Sequence, residues 1–153
     1  MKIIKNKKIF ILILFLTIIW YGAIFIPPIA YKSDFISKKT GGAVICFFSN
    51  VCHQQEQRSF KIHGVQLAVC SRCTGLYTGF FAGVIFYPFL SGKFKFKKLL
   101  IAGAVLLFLE FIFSHLYMFN SSNTIRFLTG LLPGFVVANI FISAAYEITK
   151  NKR

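Results

Sequence analysis

The sequence predicts an all-α polytopic membrane protein: four transmembrane helices, with a long Cys/His-bearing extracytoplasmic loop between helices 1 and 2. Three observations predict it. The 153 residues are 56% hydrophobic, with a mean hydropathy of +0.68, too apolar for an ordinary soluble domain and long enough for one domain, 1–153. Four runs approach the roughly 20 apolar residues that a span requires. Eighteen Lys and Arg against four acidic residues give a net charge of +14. The basic residues gather in short clusters beside the apolar runs, the pattern of membrane flanks and not of a nucleic-acid-binding stripe. No P-loop and no Gly-x-Gly-x-x-Gly after a strand occurs, so nothing indicates a nucleotide site.

The first expected span, about 9–30, follows Lys2, Lys5, Lys7 and Lys8 and is interrupted by Pro27-Pro28 near its end. Its apolar core exceeds the 7–15 residues of a signal peptide and no small-x-small cleavage site follows, so it reads as an uncleaved anchor. The loop 31–73 contains an apolar segment, Gly41–Val51, whose length suits an interfacial or re-entrant piece. The second span, about 74–90, is short and glycine-rich. The third, about 99–119, carries Glu110, Ser114 and His115. A carboxylate in lipid costs several kcal/mol, so Glu110 is expected to face the bundle interior. The fourth, about 127–148, contains Asn139 and Pro133, which predicts a kink.

Small residues recur every four positions at Gly75, Gly79 and Gly83, and again at Gly130, Gly134 and Ala138. Such ridges let helix backbones approach closely in lipid, so spans two and four are expected to touch each other, or each to meet another partner closely. Lysines at the N-terminus, in the segment 91–98 and at the C-terminus place those three segments together in the cytoplasm of a multi-pass cell-membrane protein. The loop 31–73 then lies outside.

That loop concentrates the chain's chemistry. Cys70-Ser71-Arg72-Cys73 spaces two thiols to chelate one metal or to close a redox disulfide. The pair precedes a helix, whose free N–H groups and positive dipole end, with Arg72, favour thiolate. Cys52 adds a third sulfur, with His53 as a fourth ligand or as a supporting group. Three sulfurs suit a zinc or iron ion. Cys46/Cys52 with Cys70/Cys73 would instead supply the two pairs of a thiol–disulfide relay. Arg58, Lys61, Arg72 and Arg126, with Gln54, Ser59, Thr74 and Asn123, offer the donors of a substrate or phosphate pocket.

These residues carry a resemblance. Cys52-His53-Gln54, Arg58-Ser59-Phe60, Gly64 and Cys70-Ser71-Arg72-Cys73-Thr74-Gly75-Leu76-Tyr77-Thr78-Gly79 are followed by Ser122-Asn123-Thr124-Ile125-Arg126 and Thr129-Gly130. The compound pattern resembles an uncharacterised family of small prokaryotic integral membrane proteins, grouped as a domain of unknown function, over roughly 41–138. Where that family carries an aspartate in the third span, this chain has Glu110. The resemblance implies a site and brings no established activity.

The leading expectation is an extracytoplasmic metal site of Cys52, His53, Cys70 and Cys73 above a cleft lined by Glu110, Asn123 and Arg126. A metal-bound water with Glu110 as catalytic carboxylate would suit hydrolysis of a lipid-linked substrate. The rivals are a membrane thiol–disulfide oxidoreductase using Cys70/Cys73 and a small transporter or lipid-phosphate scaffold. Expected partners are the lipid bilayer, a lipid or anionic headgroup and, for transport, a second copy in a homodimer, with no nucleic acid.

Overall fold

The computed structural model describes residues 7–32, 37–90, 101, 104–105, 108–109, 112 and 122–151. The expected third span with Glu110 and His115 lies outside these residues, apart from a few helical positions such as Ile101, Val105 and Phe108. The chain is mostly helical. Among the described residues, the continuous helices run in the order α1 (Lys7–Ala23), α2 (Ile26–Lys32), α3 (Lys38–Ser49), α4 (Ser71–Leu90) and α5 (Asn123–Asn151). Between α3 and α4 come a 3-10 turn, Glu56–Arg58, and a small hairpin pairing β1 (Lys61–Ile62) with β2 (Val65–Gln66).

The first apolar run is not one straight helix. It breaks at Ile24–Phe25, and α2 leaves α1 at 48°. The prolines explain the position. In a continuous helix the rings of Pro27 and Pro28 would meet the carbonyls of Ala23 and Ile24, four residues earlier. In a new helix starting at Ile26 they occupy its first turn, where an N–H has no intrahelical partner anyway. The break frees the Ile24 carbonyl, which accepts from the Ala68 N–H at 3.1 Å. A sequence break thereby becomes an anchor for the strand of chain leading into the Cys-x-x-Cys.

Among the described residues, Asn123–Tyr146 is long and apolar enough to cross a membrane, and the bent pair α1–α2 qualifies as a second crossing if counted as one. The segment expected to be interfacial is α3, capped by Ser37, whose hydroxyl accepts from the Lys39 N–H at 3.3 Å.

The two glycine ridges meet. Gly75 and Gly79 lie so close to α5 that a methyl group on either would overlap the carbonyls of Phe127 and Leu131. From the other side, Gly130 and Gly134 press on the backbone of Arg72 and Leu76. Helix α5 runs through Pro133 without interruption. α1 completes the described bundle: Phe10, Ile13 and Leu14 pack on Val84, Tyr87, Ala138 and Ile142. Higher up, Tyr21 stacks on Phe81 with centroids 5.1 Å apart and accepts from Thr78 Oγ1 at 3.2 Å.

Candidate metal centre

Cys52 follows α3 directly, held by its N–H to the Phe48 carbonyl at 2.9 Å. Cys70 stands where a helix cap stands: its carbonyl accepts from the Thr74 N–H at 2.8 Å and from Thr74 Oγ1 at 3.0 Å. Cys73 lies in the first turn of α4. The approach to Cys70 is pinned on both edges, by Ala68 on Ile24 and by the Leu67 N–H on the Phe60 carbonyl at 2.9 Å.

Gln54 joins the two halves. Its backbone is left-handed (φ 49°), and its side-chain NH2 donates to the Ile45 and Ala68 carbonyls, both at 2.7 Å. One amide therefore ties α3 to the segment before Cys70. Beneath lies an apolar floor of Ile24, Phe48, Leu67 and Val69, with Trp20 edge-on to Phe48 and Tyr77.

The result is a compact trio of sulfurs. The Sγ atoms of Cys52, Cys70 and Cys73 all lie within 4.8 Å of one another, and Cys52 and Cys70 are buried. The Cys70 N–H points at the Cys52 sulfur at 3.2 Å. Hydrogen bonds from the Cys70 and Cys73 thiols hold the Cys52 thiol well below the usual thiol range, helped by the Cys70 and Gln54 N–H groups and opposed by burial. Its role as donor to Cys52, together with burial, pushes the Cys70 thiol up. The free protein thus favours one thiolate solvated by two thiols. Three thiolates at this spacing would repel one another in a desolvated place, and a soft cation between them removes that repulsion.

The other candidates distribute around this trio. His53 is exposed, outside the sulfur group, and its Nδ1 accepts from the Gln55 N–H at 3.4 Å. Cys46 is likewise exposed and apart from the trio. Arg58 is exposed on the 3-10 turn, whereas Arg72 is half-buried between the two α4 cysteines. Asn123 begins α5 and donates to the Ser59 carbonyl at 3.4 Å, and Phe60 sits edge-on to Phe127. Those contacts seat the hairpin on the N-terminal end of α5. Arg126, one turn further, is buried at 6% exposure. Glu110 falls outside the described residues. Sequence reasoning missed the Ile24 and Ala68 backbone groups that position Cys70. Pro27-Pro28 was the available signal, since a proline pair frees carbonyls four residues back.

Residues 52–140 match a family model described as "Predicted membrane protein (DUF2085)". The chain belongs to this family. An uncharacterised protein of Methanocaldococcus jannaschii is 33% identical over 153 residues, covering 95% of this chain and 98% of its own length. A second, from Methanothermobacter thermautotrophicus, is 34% identical over 99 residues, covering 62% of this chain and 88% of its own. No solved structure matches the chain. The family match begins at Cys52 and includes all three sulfurs.

Proposed function

We propose that this protein crosses the membrane four times, with both termini cytoplasmic, and holds one zinc or iron ion on Cys52, Cys70 and Cys73 at its outer face. The observation that carries this reading is the convergence of three sulfurs, from two places 18 residues apart, within 4.8 Å. The donor set fits: three thiolates are a common part of a tetrahedral zinc or iron shell, with a fourth position left for another ligand. His53 supplies that ligand if its ring turns inward, and a water or substrate atom supplies it otherwise. A metal there would act as a Lewis acid on a water or a substrate oxygen.

The chain's own residues set the surroundings. The Cys70 N–H stabilises negative charge on the Cys52 sulfur. Gln54 fixes the distance between the two cysteine segments. Arg72, Arg126 and Asn123 stand on the α4–α5 side, where they would receive an anionic, lipid-linked substrate, with Arg58 at the rim and Glu110 as the proton-transferring carboxylate.

The test is elemental analysis of protein purified in mild detergent without added metal, with free thiols counted on the same sample. The reading expects about one zinc or iron per chain, lost in Cys70→Ser and in Cys73→Ser and retained in Cys46→Ser. Metal-free protein with a reducible Cys70–Cys73 disulfide would overturn it in favour of thiol–disulfide exchange, which the bare proximity of these free sulfurs also permits.

A further inference from the structure

We propose that a second site, independent of the thiols, binds an anionic membrane lipid between α2 and the tip of the β1–β2 hairpin. The cavity there has a volume of about 470 Å³ and is lined by Phe25, Pro28, Ile29, Lys32, Ile62 and His63. That is within the range of about 300–1,000 Å³ of small-molecule sites. Four of the six lining residues are apolar, and the polar two stand together at the rim.

Two features make it a built site. The hairpin tip is fixed by left-handed backbone at both turn residues, His63 (φ 52°) and Gly64 (φ 81°). A two-residue turn with both φ positive matches the natural twist of paired strands. It carries His63 to α2, where Lys32 Nζ meets His63 Nε2 at 3.1 Å. A lysine ammonium has only protons to offer, so the ring nitrogen accepts and the ammonium keeps two N–H donors for a ligand oxygen.

Charge and position select the occupant. Lys32, Lys38 and Lys39 lie on α2 and the start of α3, while the described acidic residue of the loop, Glu56, is engaged by Lys61 at 2.6 Å. At the rim itself the cationic group is Lys32. Most of the floor lies on α2 or just before it, and α2 follows α1 in the bent pair that qualifies as one membrane crossing. An acyl chain reaches Phe25, Pro28, Ile29 and Ile62 from the bilayer, with its headgroup phosphate at Lys32. A soluble phosphate compound would leave that apolar floor unused.

The experiment is native mass spectrometry of the full chain released from micelles titrated with phosphatidylglycerol or phosphatidylcholine of matched chains. Wild-type protein is expected to retain phosphatidylglycerol about fivefold more tightly, the effect of one lysine beside an anionic headgroup. Lys32→Gln should abolish the preference, and Ile29→Trp, which fills the floor, should reduce binding of both lipids. Thermal unfolding in the same micelles confirms that each variant is folded. Equal retention of the two lipids, a preference that survives Lys32→Gln, or full displacement by inorganic phosphate would overturn the proposal.

Discussion

The sulfur-bearing loop and the α4–α5 pair are held by opposite devices. Around the sulfurs, precision comes from polar staples: Gln54 on two carbonyls, Ala68 on Ile24, Leu67 on Phe60 and Asn123 on Ser59. Between α4 and α5 it comes from missing side chains, since Gly75, Gly79, Gly130 and Gly134 let backbone rest on backbone. A staple can be cut while the rest of the loop stays in place. A glycine contact has no slack, because the atom it meets is a carbonyl that cannot turn away.

The difference ranks the expected effects of substitution. Gly79→Leu should be the most damaging change, because the added carbon collides with the Leu131 carbonyl and α4 and α5 must separate. A cost of at least about 3 kcal/mol is expected, beyond ordinary overpacking, and loss of the folded fraction during detergent thermal unfolding measures it. Near-wild-type stability would mean that the glycine ridge does not hold the pair. Gln54→Leu comes next. It leaves the Ile45 and Ala68 carbonyls without their donor, at a cost of about 2 kcal/mol. Zinc release to a chelator should become faster while all three sulfurs remain, so unchanged release kinetics would show that Gln54 does not set the site.

The pH response should be smaller. Cys70 rests as a thiol with its pKa raised, and a metal needs the thiolate. Cys73 is raised in the same way, so affinity rises with pH through the raised Cys70 and Cys73 pKa values and falls as pH drops, about tenfold per unit for each proton released. The Cys52 sulfur, already held as thiolate, steepens the fall only at pH well below the usual thiol range. Equilibrium dialysis of zinc across pH 6 to 8 (about the ordinary working range) checks the slope, and a flat profile would contradict the assignment. The smallest effect is a control. Gly42 lies inside α3 with no atom within 4 Å of a Cβ added there, so Gly42→Ala should raise stability by about 0.5–1 kcal/mol.

How much of this was legible in the sequence follows from the same physics. The glycine ridges could be read because a period of four on a helix is a surface, and helices that lack side chains pack closely. Cys52, Cys70 and Cys73 could be read as a group because soft ligands are rare in an apolar chain. The break at Ile24–Phe25 was harder. Hydropathy runs unchanged through Pro27-Pro28, and the prolines act four residues upstream of themselves. Gln54 was read as a ligand-binding amide, and its two backbone contacts depend on Ile45 and Ala68, which carry no polar signal. The hairpin was invisible for a related reason: its strands are two residues long, and His63 adopts a left-handed turn conformation more typical of Asn or Gly.

The most direct test of the central claim is X-ray absorption at the metal edge of zinc-loaded protein in detergent. The three-sulfur site predicts three zinc–sulfur contacts near 2.3 Å and one lighter neighbour, falling to two sulfurs in Cys52→Ser. A shell of nitrogen and oxygen alone, or one unchanged by Cys52→Ser, would contradict it.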